Sequence, residues 1–319
     1  VLLAALAILA GFALLIWSAD RFVYGAAALA RNLGVPPLVI GLTIVGMGTS
    51  APELLVSALA AWDGNPGLGI GNAIGSNITN IGLVLGATAL VAPLTVHSKL
   101  LKRELPLLLV AMLFGYWLLS DGRLARAEGA ALLLGLALLV AWMVWSARRA
   151  RTDDALAEEL LDEQPTPTST AAALGWFALG LLVLLGGARM LVWGAVHIAH
   201  TLGISDLVIG LTVVAIGTSL PELATSIVSA RRGEPDIALG NVIGSNLFNV
   251  LGVLGLPGLI APGPVPHAVL TRDYPLMLAL TLLLFVFAYG RQPRRINRAE
   301  GGVLLGVFIG YECWLYWTA

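Results

Sequence analysis

Residues 48–53 read Gly48-Thr49-Ser50-Ala51-Pro52-Glu53, and 169 residues later the chain reads Gly217-Thr218-Ser219-Leu220-Pro221-Glu222. Each copy sets a carboxylate and a proline inside a long apolar run. Pro52 has no N–H to give to the carbonyl of Gly48, and its ring crowds that turn. Gly46 and Gly48 weaken the helix just before it. The motif therefore predicts a kinked or locally unwound helix that turns backbone carbonyls and the Thr49 and Ser50 hydroxyls toward one spot, with Glu53 beside them. A charge at the centre of a bilayer costs at least about 2.5 kcal/mol, so a glutamate there marks a functional site. A matched pair, Glu53 and Glu222, marks one more strongly.

The rest of the chain supplies the bilayer. Of 319 residues 58% are hydrophobic and 12% charged, and mean hydropathy is +0.89. A soluble domain carries about 25% charged residues. Several charge-free runs are long enough to span a membrane as helices, so the chain reads as an all-α polytopic membrane protein. Ten spans are expected, near 1–30, 36–62, 66–92, 104–120, 124–147, 171–201, 206–230, 236–261, 273–289 and 299–318. The first is read as a mature helix rather than a signal peptide, because it lacks a positive n-region and has an internal counterpart near Trp193-Gly194. On that reading the initiator methionine has been trimmed. Net charge is −1 without a basic tract, which points away from nucleic acid. Cys313 stands alone and makes no intrachain disulfide.

The doubled motif belongs to a doubled chain. At the same offset Gly25 meets Gly194, Gly34 meets Gly203 and Pro93 meets Pro262; from Leu38 to Gly86, 27 of 49 positions are identical. Five spans separate corresponding points, so the copies are expected to cross the membrane in opposite directions. That is the inverted-repeat plan of secondary transporters, with a site near the midplane where the repeats meet. The expected organisation is a five-helix repeat at 1–147, a cytoplasmic linker at 148–170 and a second five-helix repeat at 171–319. The linker carries Asp153, Asp154, Glu158, Glu159, Asp162 and Glu163, with Leu156, Leu160 and Leu161 giving it at most a short amphipathic turn. With the N-terminus outside, thirteen loop Lys and Arg fall inside and only Arg123, Arg126 and Arg272 outside. The positive-inside rule thus places both termini away from the cytoplasm.

A second duplicated stretch opens the third and eighth spans: Gly71-Asn72-Ala73-Ile74-Gly75-Ser76-Asn77-Ile78-Thr79-Asn80, against Gly240-Asn241-Val242-Ile243-Gly244-Ser245-Asn246-Leu247-Phe248-Asn249. Gly71 and Gly75 form a small-xxx-small face for close helix approach. Ser76 and Asn80 share one helical face and present oxygens to the same site, with Asn72 one turn before. Asn77, one step off that face, is expected to pack or bond between helices. An oxygen-only ligand set suits a hard cation such as Ca²⁺ or Na⁺. Elsewhere, His197 and His200 read as interfacial, Asp20 and Arg21 as a local ion pair or helix contact, and Glu312 as a residue near the interface. No Walker A pattern supports ATP-driven pumping.

Gly-Thr-Ser-x-Pro-Glu followed by Gly-Asn-x-Ile-Gly-Ser-Asn, twice, resembles the cation/calcium exchanger superfamily, most of all its prokaryotic sodium/calcium exchangers. The resemblance spans essentially the whole chain. It implies a calcium/sodium antiporter of alternating access, not an enzyme, in a prokaryotic inner membrane, with Ca²⁺ and Na⁺ as cargo and no cofactor. It also implies the ligands: carboxylates of Glu53 and Glu222, backbone oxygens of Thr49 and Thr218, hydroxyls of Ser50, Ser76, Ser219 and Ser245, and side chains of Asn80 and Asn249. Gly46 and Ala215 correspond to positions whose carbonyls serve sodium. One chain contains both halves of the site, so a monomer suffices.

The chain departs from that pattern at Asn249, where similar exchangers commonly carry aspartate. Two carboxylates remain, enough to neutralise one Ca²⁺. Two carboxylates converging in a dry site also titrate as a pair, so H⁺ is the alternative counter-ion, although the motif itself sides with Na⁺. A passive cation channel fits less well, since channels ring a pore with like elements. A hydrolase would need a base near Ser50 or Ser219, and no histidine lies mid-membrane there.

Overall fold

In hydrocarbon a backbone must satisfy its own hydrogen bonds, so apolar runs of this length become helices. The computed structural model describes residues 2–35, 37–96, 103–153, 168–202, 215–289 and 294–318. In chain order the helices are α1 (Leu2–Leu33), α2 (Pro37–Thr49), α3 (Ala51–Trp62), α4 (Pro66–Val91), α5 (Leu105–Leu118) and α6 (Arg126–Asp153). They continue as α7 (Thr170–Thr201), α8 (Ala215–Thr218), α9 (Leu220–Arg231), α10 (Pro235–Ile260), α11 (Val269–Tyr289) and α12 (Arg298–Thr318).

Six of these are long and apolar enough to cross a membrane: α1, α4, the Arg126–Met143 part of α6, α7, α10 and α11. The α2–α3 pair, bent by 43°, makes a seventh. Of the other expected segments, α5 is apolar but only 14 residues long. Helix α12 carries Arg298, Glu300 and Glu312. The one expected at 206–230 falls partly on 203–214, outside the described residues. So does most of the expected linker, including Leu156, Leu160 and Leu161; the part that is described, up to Asp153, continues α6 as helix.

Helices α4 and α10 form the centre. Their apolar windows are 72% and 100% buried, against 22–33% for α1, α6, α7 and α11, which therefore turn most of their surface toward lipid. Trp62, Trp117, Trp193, Trp314 and Trp317 are exposed near helix ends, where indole rings anchor a protein at the membrane interface.

Small residues set the spacing. A Cβ on Gly25 of α1 would lie 2.4 Å from the backbone nitrogen of Phe177 in α7. One on Gly180 would lie 2.5 Å from that of Phe22. Gly240 and Gly244 of α10 press on α2 in the same way, a Gly244 Cβ falling 2.3 Å from the Leu42 carbonyl oxygen. Around their counterparts Gly71 and Gly75 no described heavy atom comes that near. The stretch corresponding to the Leu38–Leu42 partner, residues 207–211, lies outside the described residues.

Two short antiparallel ladders tie the halves together: β1 (Leu94–Thr95) with β4 (Arg295–Ile296), and β2 (Arg123–Leu124) with β3 (Gly263–Pro264). Each joins two loops that the charge rule assigns to one side. After β2 and β4 the duplication resumes as Arg126-Ala127-Glu128-Gly129 and Arg298-Ala299-Glu300-Gly301, at an offset of 172. Glu128 and Glu300 each accept the backbone N–H three residues earlier, at 2.6 and 2.8 Å, and so cap α6 and α12.

The Gly244 contact predicts a stability result. Gly244→Ala should cost about 1–3 kcal/mol by overpacking, read as a lower thermal midpoint in detergent. Gly306→Ala, with no described heavy atom within 4 Å of the new methyl, should leave the midpoint unchanged.

Candidate functional site

Both proline motifs break their helices at the serine. Ser50 sits at φ −81°, ψ 6° between α2 and α3, and Ser219 at φ −89°, ψ 5° between α8 and α9. Pro52 and Pro221 fall in the first turn of the following helix, where a missing N–H is harmless. Glu53 and Glu222 come next, each in the first turn of its helix, near the positive end of the helix dipole.

A second irregularity faces each break. Helix α4 widens to a π-helical turn at Asn80–Leu85 and α10 at Asn249–Val253, both beginning at the asparagine singled out in the sequence. Such turns recur at functional sites because they redirect side chains and leave carbonyls without an intrahelical partner. Packing crosses between the halves: α3 lies against the Asn249 turn, α9 against the Asn80 turn, α8 against α4 and α2 against α10. The break that carries Glu53 is thereby brought within hydrogen-bond reach of Glu222, through Ser50.

Burial at this centre is complete. Thr49, Ser50, Glu53, Asn80, Glu222, Ser245 and Asn249 are wholly inaccessible, and Ser219 and Ser76 nearly so. Glu222 receives Ser50 Oγ at 3.1 Å and Ser245 Oγ at 3.4 Å. The Thr49 hydroxyl reaches Asn241 Oδ1 at 3.0 Å and Ser245 Oγ at 3.4 Å. Ser245 also reaches the Gly46 carbonyl at 3.3 Å. Asn80 donates to Asn246 Oδ1 at 3.1 Å. Thr218 is the last residue of α8, directly before the break at Ser219. Ala215 begins α8, so its backbone leads into the second break.

Several buried oxygens meet no hydrogen-bond donor among the described residues: both of Glu53, Oε2 of Glu222, Oγ of Ser219, and Oδ1 of Asn80 and of Asn249. Carboxylate oxygens with no donor and no Lys or Arg paired to them are costly in a protein interior. They suit a hard cation, which takes six to eight oxygen ligands. Among the described residues no group of three or more His, Cys, Asp or Glu occurs. A cation here would rest on two carboxylates and neutral oxygens.

The sequence reading did not foresee the supports beneath the carboxylates. Asn72 Nδ2 donates to the Glu53 carbonyl and to Ser57 Oγ, both at 3.0 Å. Asn241 Nδ2 repeats this with the Glu222 carbonyl at 3.2 Å and Ser226 Oγ at 2.9 Å. The signal was present, since Asn72 and Ser57 both recur at the offset, but these residues were not linked to one another. Asn77 differs from expectation: it donates to Ala73 O one turn back in its own helix, and its counterpart Asn246 makes the cross-helix bond instead. Asp20 does form an ion pair, with Arg232 rather than Arg21, whose guanidinium lies over Trp176. His197 stacks on Trp193, and the His200 side chain lies outside what is described. Tyr311 hydrogen-bonds Asp273, not its neighbour Glu312.

The comparisons with known proteins follow this geometry. The chain matches the family "Sodium/calcium exchanger protein" over residues 3–145 and 172–317, and it belongs to that family. It is 54% identical to the putative antiporter CaxA of Alkalimonas amylolytica, over 99% of both chains. It is 44% identical to the inner membrane protein YrbG of Escherichia coli (strain K12), over 100% of this chain and 98% of that one. Among solved structures the sodium-calcium exchanger NCX_Mj superposes with a TM-score of 0.83 at 36% identity, over 97% of each chain.

The asparagine supports predict a structural effect separable from any transport. Asn241→Ala removes the donor to the Glu222 carbonyl and the acceptor for Thr49. It should destabilise by about 1–3 kcal/mol, visible in thermal unfolding, and by more than Ser226→Ala.

Proposed function

We propose that this sodium/calcium exchanger family member carries Ca²⁺ in exchange for Na⁺ by alternating access, at the site formed by Glu53 and Glu222. The observation that carries the reading is the set of buried, donor-free oxygens on those glutamates and on Ser219, Asn80 and Asn249. Two carboxylates balance one Ca²⁺. The Ser50, Ser76 and Ser245 hydroxyls and the carbonyls at the helix breaks, those of Gly46, Thr49, Ala215 and Thr218, complete an oxygen-only shell. Ser50 donates to Glu222, and the single Ser245 hydroxyl proton reaches either Glu222 or the Gly46 carbonyl. With a cation present these hydroxyls turn their lone pairs toward it. The ligands then move with the ion instead of presenting a rigid cage.

The proposed architecture is ten spans in two inverted repeats, 1–147 and 171–319, with 148–170 between them on the cytoplasmic side and both termini outside. Support comes from the family match, which falls in two stretches on either side of that segment. Further support comes from the paired ladders and paired π turns, each with one member per half. Both carboxylates belong to one chain, so a monomer is sufficient to form the site. Inverted repeats explain how one site serves two faces, because exchanging the conformations of the halves exchanges the open side.

H⁺ is the second reading, favoured by Asn249, which leaves the site with two carboxylates where a third would help hold several Na⁺. Purified protein in vesicles separates the readings. ⁴⁵Ca²⁺ uptake should follow an outward Na⁺ gradient; uptake under a pH gradient alone would replace Na⁺ with H⁺, and flux indifferent to both would indicate a channel. Glu53→Gln and Glu222→Gln should each reduce exchange to background while the protein still inserts and folds. Asn249→Asp, by adding a third carboxylate, should shift the Na⁺ dependence of uptake to lower Na⁺ concentration. An unchanged curve would show that the missing charge has no bearing on the counter-ion.

A further inference from the structure

Asp20 in α1 meets Arg232, just past the end of α9, with Arg232 Nε donating to Asp20 Oδ1 at 2.8 Å. The Tyr24 ring lies 5.8 Å from the same guanidinium. The offset of the duplication carries Asp20 onto Arg189 and Arg232 onto Asp63. Both members of the pair are thus reversed in charge, and the complementarity survives. Reversing only one would have put like charges at the corresponding positions.

Arg189 lies in α7 and Asp63 caps the end of α3. Both are exposed, and they form no ion pair with each other. Packing repeats the asymmetry: α1 lies against α9, whereas its counterpart α7 makes no comparable contact with α3. Helices α1 and α7 are themselves locked together through Gly25, Phe177, Gly180 and Phe22, so Asp20 and Arg189 ride on one unit. Asp63 and Arg232 stand on the glutamate-bearing helices α3 and α9.

We infer that Asp20–Arg232 and Asp63–Arg189 are two mutually exclusive ion pairs. Each closes one face of the site when the other is broken. They act as positioning residues that set which side is open. The inference rests on the inverted-repeat exchanger reading, because exchanging the halves turns the formed pair into the unformed one. Both groups of the formed pair are only part-buried by the protein, their side chains being 34% and 41% exposed. An ion pair of that exposure is weak, as a contact broken in every cycle has to be.

The test uses the full-length chain with Cys313→Ser. The variants Asp20→Cys with Arg232→Cys, and Asp63→Cys with Arg189→Cys, are each treated with a short bis-maleimide linker that spans an aspartate–arginine pair. Each should cross-link, and a chain carrying all four changes should gain one cross-link with its other two cysteines capped singly, because only one pair closes at a time. Failure of the 63/189 pair to link, or closure of both pairs in one chain, overturns the inference. Neither outcome depends on which ion is carried, so a failure of the cargo assignment and a failure of this inference are read separately.

A second measurement adds direction. In oriented vesicles, Asp20→Asn should weaken apparent Ca²⁺ affinity at the Asp63 face and Asp63→Asn should strengthen it, each by up to about fivefold. The charge-exchanged double variant D63R/R189D should restore the wild-type value. A merely structural role would shift both affinities the same way or neither, and that result would also overturn the inference.

Discussion

Two buried carboxylates, one from each half, lie at the centre of this protein, and among the described residues no Lys or Arg pairs with either. Glu53 and Glu222 are both wholly buried, and both oxygens of Glu53 lack a donor among the described residues. An unpaired charge in a dry interior costs several kcal/mol, far more than the chain gains from local packing around it. The breaks at Ser50 and Ser219 put each glutamate at a helix start. The π turns begin at Asn80 and Asn249, whose buried Oδ1 atoms meet no donor among the described residues, and Asn72 and Asn241 donate to the glutamate carbonyls. Each of these irregularities weakens a helix, and each lies against another helix that covers it.

The duplicated sequence does not produce a symmetric site. Glu222 accepts from Ser50 and Ser245, while among the described residues the counterpart Ser219 hydroxyl and both Glu53 oxygens have no hydrogen-bond partner. The same imbalance reaches the surface, where α1 closes on α9 through Asp20 and Arg232 but α7 stays off α3. Two related halves with different local contacts fit the form that alternating access requires. On the proposed reading, the resting asymmetry of the carboxylates and that of the outer helices are one state seen at two depths.

Much of this was legible in residue types with strong local rules. Pro52 and Pro221 fit only the first turn of a helix at these positions, so the breaks fell just before them, at Ser50 and Ser219. A repeat offset needs no structure to be found. The π turns were not legible, because one extra residue in a helical turn has no compositional mark and depends on what packs against it. Contacts over long separations were hidden for the same reason. Asp20 could not be assigned to Arg232, 212 residues away, until α1 and α9 were side by side. Asn77 and Asn246, identical in sequence, bond differently because only one has an asparagine from the other half within reach.

The central claim is that the paired carboxylates hold Ca²⁺ and that Na⁺ competes for the same oxygens. Equilibrium binding of ⁴⁵Ca²⁺ to the purified protein, titrated with NaCl at fixed pH and ionic strength, tests it most directly. The account predicts one Ca²⁺ per chain, displaced by Na⁺ with a slope steeper than one, and no such displacement by choline chloride. Saturable binding indifferent to Na⁺, or no binding at all, would contradict it.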